Sequence, residues 1–129
     1  MERILMSSEK GQSIVEFALI LPLVILMIFG ILDFGRVFHA YLAIDHAGRE
    51  AARAASIGKD NTTILNTAVN DATSIGLKSE QVVIDPSGSR SSGTEAKITI
   101  SYPVTFLTPI IGNLISPLTL TNTTVMRVE

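Results

Sequence analysis

The sequence predicts an α+β protein: a long N-terminal transmembrane and stalk helix, a short second helix and a small antiparallel sheet of about three strands. Three observations predict it. Apolar residues crowd into one charge-free run near the N-terminus, helical spacing continues beyond that run, and the period changes to two after Glu80. A chain of 129 residues fits a single folded unit on its anchor. With 10 Lys+Arg against 12 Asp+Glu the net charge is -2, so nothing draws the chain to a phosphate backbone and nucleic acid is not an expected partner. The absence of Cys rules out a disulfide framework, a thiol nucleophile and a thiolate metal site. Hydrophobic residues make up 47% and charged residues only 17%, below the roughly 25% charged typical of soluble domains.

The apolar excess sits in residues 17–32, FALILPLVILMIFGIL, which carry no charge. At ~1.5 Å per residue they span ~24 Å, a little short of a ~30 Å hydrocarbon core. Residues 12–15 lengthen the run at one end; Phe34, Val37 and Phe38 carry the apolar face past Asp33 and Arg36 at the other. A transmembrane segment over residues 12–36 follows, because so short a chain offers no partner surface to bury such a helix on all sides. Asp33 and Arg36 lie three apart, mark the membrane exit and can pair there. Pro22 cannot donate to the carbonyl of Ala18, so a kink or local loosening is expected at that point. A secretory signal would end in small residues at a cleavage site, whereas this run ends in Asp-Phe-Gly-Arg.

Just before the run, Gly11-Gln12-Ser13-Ile14-Val15-Glu16-Phe17 sets a Gly five positions ahead of a Glu. This resembles the processing site of type IV pilin-like proteins, in which a membrane aspartic peptidase cuts after the Gly and leaves Glu as the fifth mature residue. The longer string, GQSIVEFALILP, then IFGILDFGR, then AGREAARAA, is similar to the TadE-like family over residues 11–55. The resemblance implies a minor pseudopilin of the tight-adherence (Tad, or Flp) pilus system. It implies a leader over residues 1–11, cleavage between Gly11 and Gln12, and a role for Glu16 and Phe17 in processing and assembly. The implied partners are the membrane, the prepilin peptidase, other pilins or pseudopilins and the assembly platform. The implied place is the inner (cytoplasmic) membrane, single-pass, with the C-terminal domain outside the cytoplasm and an association with the pilus.

Physical chemistry gives Glu16 a reason of its own. A carboxylate at the bilayer centre costs about 2.5–3.5 kcal/mol on insertion scales, less near the interface, and such a group usually has a partner. If the chain is cut after Gly11, the new amine on Gln12 lies one helical turn from Glu16 and on the same face. The two charges can then neutralise each other within a subunit or between neighbours.

Beyond the membrane, residues 37–129 read as an exported α+β domain. The first helix runs on to about residue 57, with Phe34, Val37, Tyr41, Ile44, Gly48, Ala51 and Ala55 on one face. Small residues around 47–55 let another element approach closely, and Asp45, Arg49 and Arg53 are expected on the opposite face with His46 and Glu50 beside them. His46 and Glu50 stand one turn apart, but no third ligand has matching spacing and His39 is too distant, so no metal or cofactor is expected. A second helix is expected over residues 62–75 with Asn61 or Thr62 as its N-cap and Gly76 ending it. Strands are expected near 81–85, 96–106 and 118–128. The Ser- and Gly-rich residues 86–93 read as a flexible turn. Residues 107–117 read as an irregular connection whose Ile110, Ile111, Leu114 and Ile115 must be covered or bind something.

No nucleophile–base pair, phosphate loop or metal set appears, so neither an enzyme nor a small-molecule substrate is expected. The expected function is structural: a minor pseudopilin processed after Gly11 that helps assemble or prime a Tad-type pilus for adherence or secretion. The alternative is an uncleaved, single-span, membrane-anchored binding module outside any fibre.

Overall fold

The structure, a computed structural model, describes residues 2–115 and 117–129, and the side chains of the first helix from residue 9 onward. Helix α1 runs unbroken from Glu2 to Ser56, 55 residues, or ~82 Å of rod at ~1.5 Å per residue. It passes through Pro22 without interruption. From residue 9 to 29 every side chain of α1 is exposed, because no other part of the chain covers it beyond glancing contact. Further along, α1 becomes the spine of the folded domain.

The spine is built on small residues. Ala40, Ile44, Ala47, Ala51, Ala52 and Ala55 are buried and recur at steps of three and four, the stripe that a helix presents to a partner. The buried stripe differs from the predicted one in its lower half. Phe34 and Tyr41 are exposed, and Phe34 instead stacks on Phe38 with ring centroids 6.4 Å apart. Two such rings facing the sheet would hold the strands away from the alanines, so the close-packed solution rotates them outward. At Gly48 the approach is tightest: a Cβ there would lie 2.8 Å from Asn122 Oδ1 and 3.0 Å from Thr124 Oγ1.

Helix α2 spans Asn61–Asp71, followed by a 3-10 turn at Thr73–Ile75 and by Gly76 in the left-handed region at φ 66°. Its N-cap is Asp60, one residue earlier than the predicted Asn61 or Thr62. The Thr63 hydroxyl donates to Asp60 Oδ1 across the first turn. That bond is the largest of the influences holding the Asp60 carboxyl below its ordinary range, against a smaller opposing effect of burial. Ile64 and Ala68 face α1, buried.

Three strands form an antiparallel meander in the order β1-β2-β3: β1 (Val82–Asp85), β2 (Glu95–Val104) and β3 (Leu118–Arg127). Val82 pairs with Ile100 and Ile84 with Ile98; on the other side Ile98 pairs with Thr124, Ile100 with Asn122 and Tyr102 with Leu120. Strict alternation sends Ala96, Ile98 and Ile100 into the core. Pro103 is tolerated in the central strand because β1 pairs only up to Ile100, leaving one flank of β2 unladdered at that point. The Tyr102 hydroxyl donates to the Ile75 carbonyl at 2.7 Å and fastens the sheet to the turn after α2.

Two connections differ from expectation. Residues 86–93 are tied down: Arg90 donates to the carbonyls of Lys59 (2.7 Å) and Pro86 (3.2 Å) and to Asn61 Oδ1 (2.8 Å), while Asn61 Nδ2 donates to Ser87 O. One guanidinium fork overrides what the composition of the loop suggests. The stretch between β2 and β3 contains a short helix α3, Pro109–Ile115, where an irregular connection is predicted. Pro109 opens it, at the helix position where a missing N–H costs nothing. Its seven residues, with Gly112 among them, are too few to show a helical period. The far end of the chain closes on the spine: Val128 N–H donates to Thr94 O at 2.8 Å and Glu129 N–H to Ser56 O at 2.9 Å.

The predicted fold class is found, α+β with a long apolar helix, a shorter helix and a three-stranded antiparallel sheet.

Candidate functional site

The residues singled out in the sequence fall at two places along α1. Gly11, Gln12, Glu16 and Phe17 lie on one exposed stretch near its start, inside the helix. The Gln12 side-chain amide donates to Glu16 Oε1 at 3.0 Å, so the two are brought together over one turn as their spacing requires. Ser13 donates to the Glu9 carbonyl at 3.2 Å. Nothing in the fold demands glycine at position 11, since a Cβ there would meet no atom within 4 Å. Phe17 is exposed, as are Ile14, Leu19 and Leu23.

The second place is the end of the apolar run. Asp33, 4% exposed, is the first charged side chain after that run and one of few buried polar groups in the chain. Its two oxygens accept from three donors across the fold: Oδ1 from Leu107 N–H at 2.7 Å, and Oδ2 from Thr108 N–H at 2.9 Å and from the Thr108 hydroxyl at 2.6 Å. Arg36 stands 3.8 Å from Asp33 as its spacing predicts, but its nearer bond is to the Thr105 carbonyl at 2.9 Å. Both charges of the predicted exit are thus spent on the neck of the α3 segment. Sequence reasoning paired them only with each other and missed Thr105, Leu107 and Thr108. The available signal was an aspartate ending a long apolar run: its two oxygens offer about four acceptor sites, and a guanidinium at i+3 can fill at most about two of them.

Below that neck an open groove of about 380 Å³ separates α1 from α3. Leu21, Pro22, Ile25 and Phe29 form one wall; Thr108 and Ile110 stand on the other. Pro22 therefore faces the groove together with Ala18, whose carbonyl it leaves without a helical donor.

Farther along the spine, Asp45 does not lie on a free solvated face as predicted. It accepts from Asn122 Nδ2 at 3.1 Å and is paired with Arg49, which fixes β3 against α1. His39 and His46 remain exposed, and among the described residues no three His, Asp or Glu side chains converge on a common point.

Among the described residues α1 is the one helix long and apolar enough to cross a membrane, and none of its most apolar window is buried by the rest of the chain. Residues 11–53 match the family model of TadE-like proteins. Comparison with curated proteins and with solved structures gave no significant match. The TadE-like segment takes in Gly11, Glu16, Asp33, Arg36 and the alanine face of the spine, and it ends before α2 and the sheet. The match covers the exposed apolar part of α1 and is consistent with a membrane-anchored TadE-like protein.

Proposed function

We propose that this protein is a minor pseudopilin that is cut after Gly11 and helps assemble or prime a Tad-type pilus. The observation that carries the reading is the bare start of α1. A carboxylate opens the apolar run, one turn from Gln12, and residues 9–29 have no cover from their own domain. A rod of this kind is covered by lipid before assembly and by the helices of neighbouring subunits after it. Cleavage between Gly11 and Gln12 would place a new main-chain amine on Gln12, whose side-chain amide already donates to Glu16, and so add a cation one turn from that carboxylate. Glycine at 11 answers no demand of the subunit's own packing, which fits a requirement set by a peptidase. It also weakens the helix at the bond to be cut, by about 1 kcal/mol relative to Ala.

The role is structural. The protein resides in the inner membrane with its N-terminus inside and residues 37–129 outside. It meets the prepilin peptidase, other pilins and the assembly platform through Glu16, Phe17 and the exposed helix around them.

The test is the mature N-terminus of the protein recovered from its native host. A start at Gln12 is expected. Glu16→Ala should still be cut yet fail to support pilus assembly. A chain that still starts at Met1 in cells with a working prepilin peptidase would overturn the proposal and favour an uncleaved anchor carrying a binding domain.

A further inference from the structure

The segment hung from Asp33 has the wrong surface for water. We propose that residues 107–115, most of them in α3, dip beside α1 into the bilayer on the domain's side and are covered there by lipid acyl chains. This rests on the membrane-spanning reading of α1 and adds a second, non-spanning contact with the membrane.

Position is the first argument. The α1 wall of the groove facing Thr108 and Ile110 runs from Ala18 to Phe29, all of it on the membrane side of Asp33. At ~1.5 Å per residue, Ala18 lies ~22 Å down the rod from Asp33. The segment therefore turns back along the span and away from the sheet.

Surface is the second. Between residues 98 and 126 the sequence has no charged side chain. Leu107, Ile110, Leu114 and Ile115 are exposed together, Leu114 at 79%. The outward face of the sheet mixes Lys97, Thr99, Thr121 and Thr123 with two separate valines, Val83 and Val125. The four apolar side chains of this segment form a cluster at the end that meets the span, as expected of a face immersed with it.

Irregular backbone is excluded from hydrocarbon unless its polar groups are satisfied. Here they are met at the neck. Asp33 accepts the N–H groups of Leu107 and Thr108 and the Thr108 hydroxyl, Arg36 donates to the Thr105 carbonyl, and Gly112 N–H donates to the Thr108 carbonyl at 2.8 Å. Charges placed where a span leaves the membrane thus allow an adjoining strand connection to enter it.

Because the chain has no cysteine, single-cysteine variants can be labelled without background. Full-length Leu114→Cys, Ile110→Cys, Leu26→Cys and Ser89→Cys, each carrying an environment-sensitive fluorophore, would be reconstituted at low protein-to-lipid ratio. The vesicles would be phosphatidylcholine and phosphatidylglycerol with nitroxide-bearing acyl chains. Labels at 114 and 110 are expected to be quenched about as strongly as the label at 26, and several-fold more than that at 89. Quenching at 26 with 110 and 114 behaving like 89 overturns the inference and leaves the span standing. No quenching at 26 overturns both. Cross-linking between subunits through Leu114→Cys, in place of lipid quenching, assigns the face to a second copy and likewise overturns it.

Discussion

Asp33 and Thr108, 75 positions apart in the chain, share one carboxylate oxygen between a backbone N–H and a hydroxyl. With the Leu107 N–H on the other oxygen, this contact is the mooring of the segment between β2 and β3. It joins the end of the apolar run to a stretch of the domain that leans back along that run.

If the mooring holds the segment, Asp33→Ala should free the Leu107 and Thr108 amides. Hydrogen exchange on the full chain in detergent should speed up at these two amides, while those of β1 stay protected. Asp33→Asn keeps one acceptor oxygen and should give an intermediate effect. Equal exchange in all three proteins would show that the bonds to Asp33 are not what orders the neck.

The close approach at Gly48 makes a second prediction. Gly48→Val must displace Asn122 and Thr124, and Asn122 is itself bonded to Asp45. Overpacking of this kind costs about 1–3 kcal/mol, read as a lowered denaturation midpoint. Gly48→Ala should be milder, because a gain of about 1 kcal/mol in helix propensity offsets part of the clash.

The packed core of the domain and the bare start of α1 should respond differently to truncation. Ile98→Ala, at a fully buried position, should lower domain stability by about 2–5 kcal/mol. Leu19→Ala, at a position 75% exposed, should leave domain unfolding in detergent within about 0.5 kcal/mol of the parent. A large loss from Leu19→Ala would mean that the domain leans on its anchor more heavily than its packing indicates.

Asp60 sets a sign for pH dependence. Its carboxyl is held below the ordinary value by the Thr63 hydroxyl, so the folded state favours the ionised form. The resulting stabilisation is fully present above the unfolded pKa of about 3.9 and is lost as pH falls through the lower folded value. Denaturation of the full chain between pH 6 and pH 3 should show a steeper acid loss than in Asp60→Asn; matching profiles would contradict this.

What the sequence revealed follows the range of the forces involved. The apolar run, the alanine face and the alternation of β2 and β3 are local patterns, and each appears in the structure near its predicted place. The rotation of Phe34 and Tyr41 away from the core was not legible, because it is decided by how closely β3 can approach Gly48, a fact of tertiary packing. Helix α3 was too short to show a period, and the bonds of Arg90 depend on which carbonyls the fold brings to it. Of the candidate site, the Gln12–Glu16 contact was readable because both partners lie on one turn. The partners of Asp33 were not, since they arrive from the other end of the chain.

The unbroken course of α1 has a mechanical consequence. Rod and spine are one piece, with no flexible tether between residues 32 and 44 to absorb slack. A pull applied to the sheet is delivered directly to the exposed apolar turns of α1, and a twist imposed on those turns is delivered back to the sheet. Under the proposed function, extraction from the bilayer is the movement of a lever, in which the head and the foot must travel together.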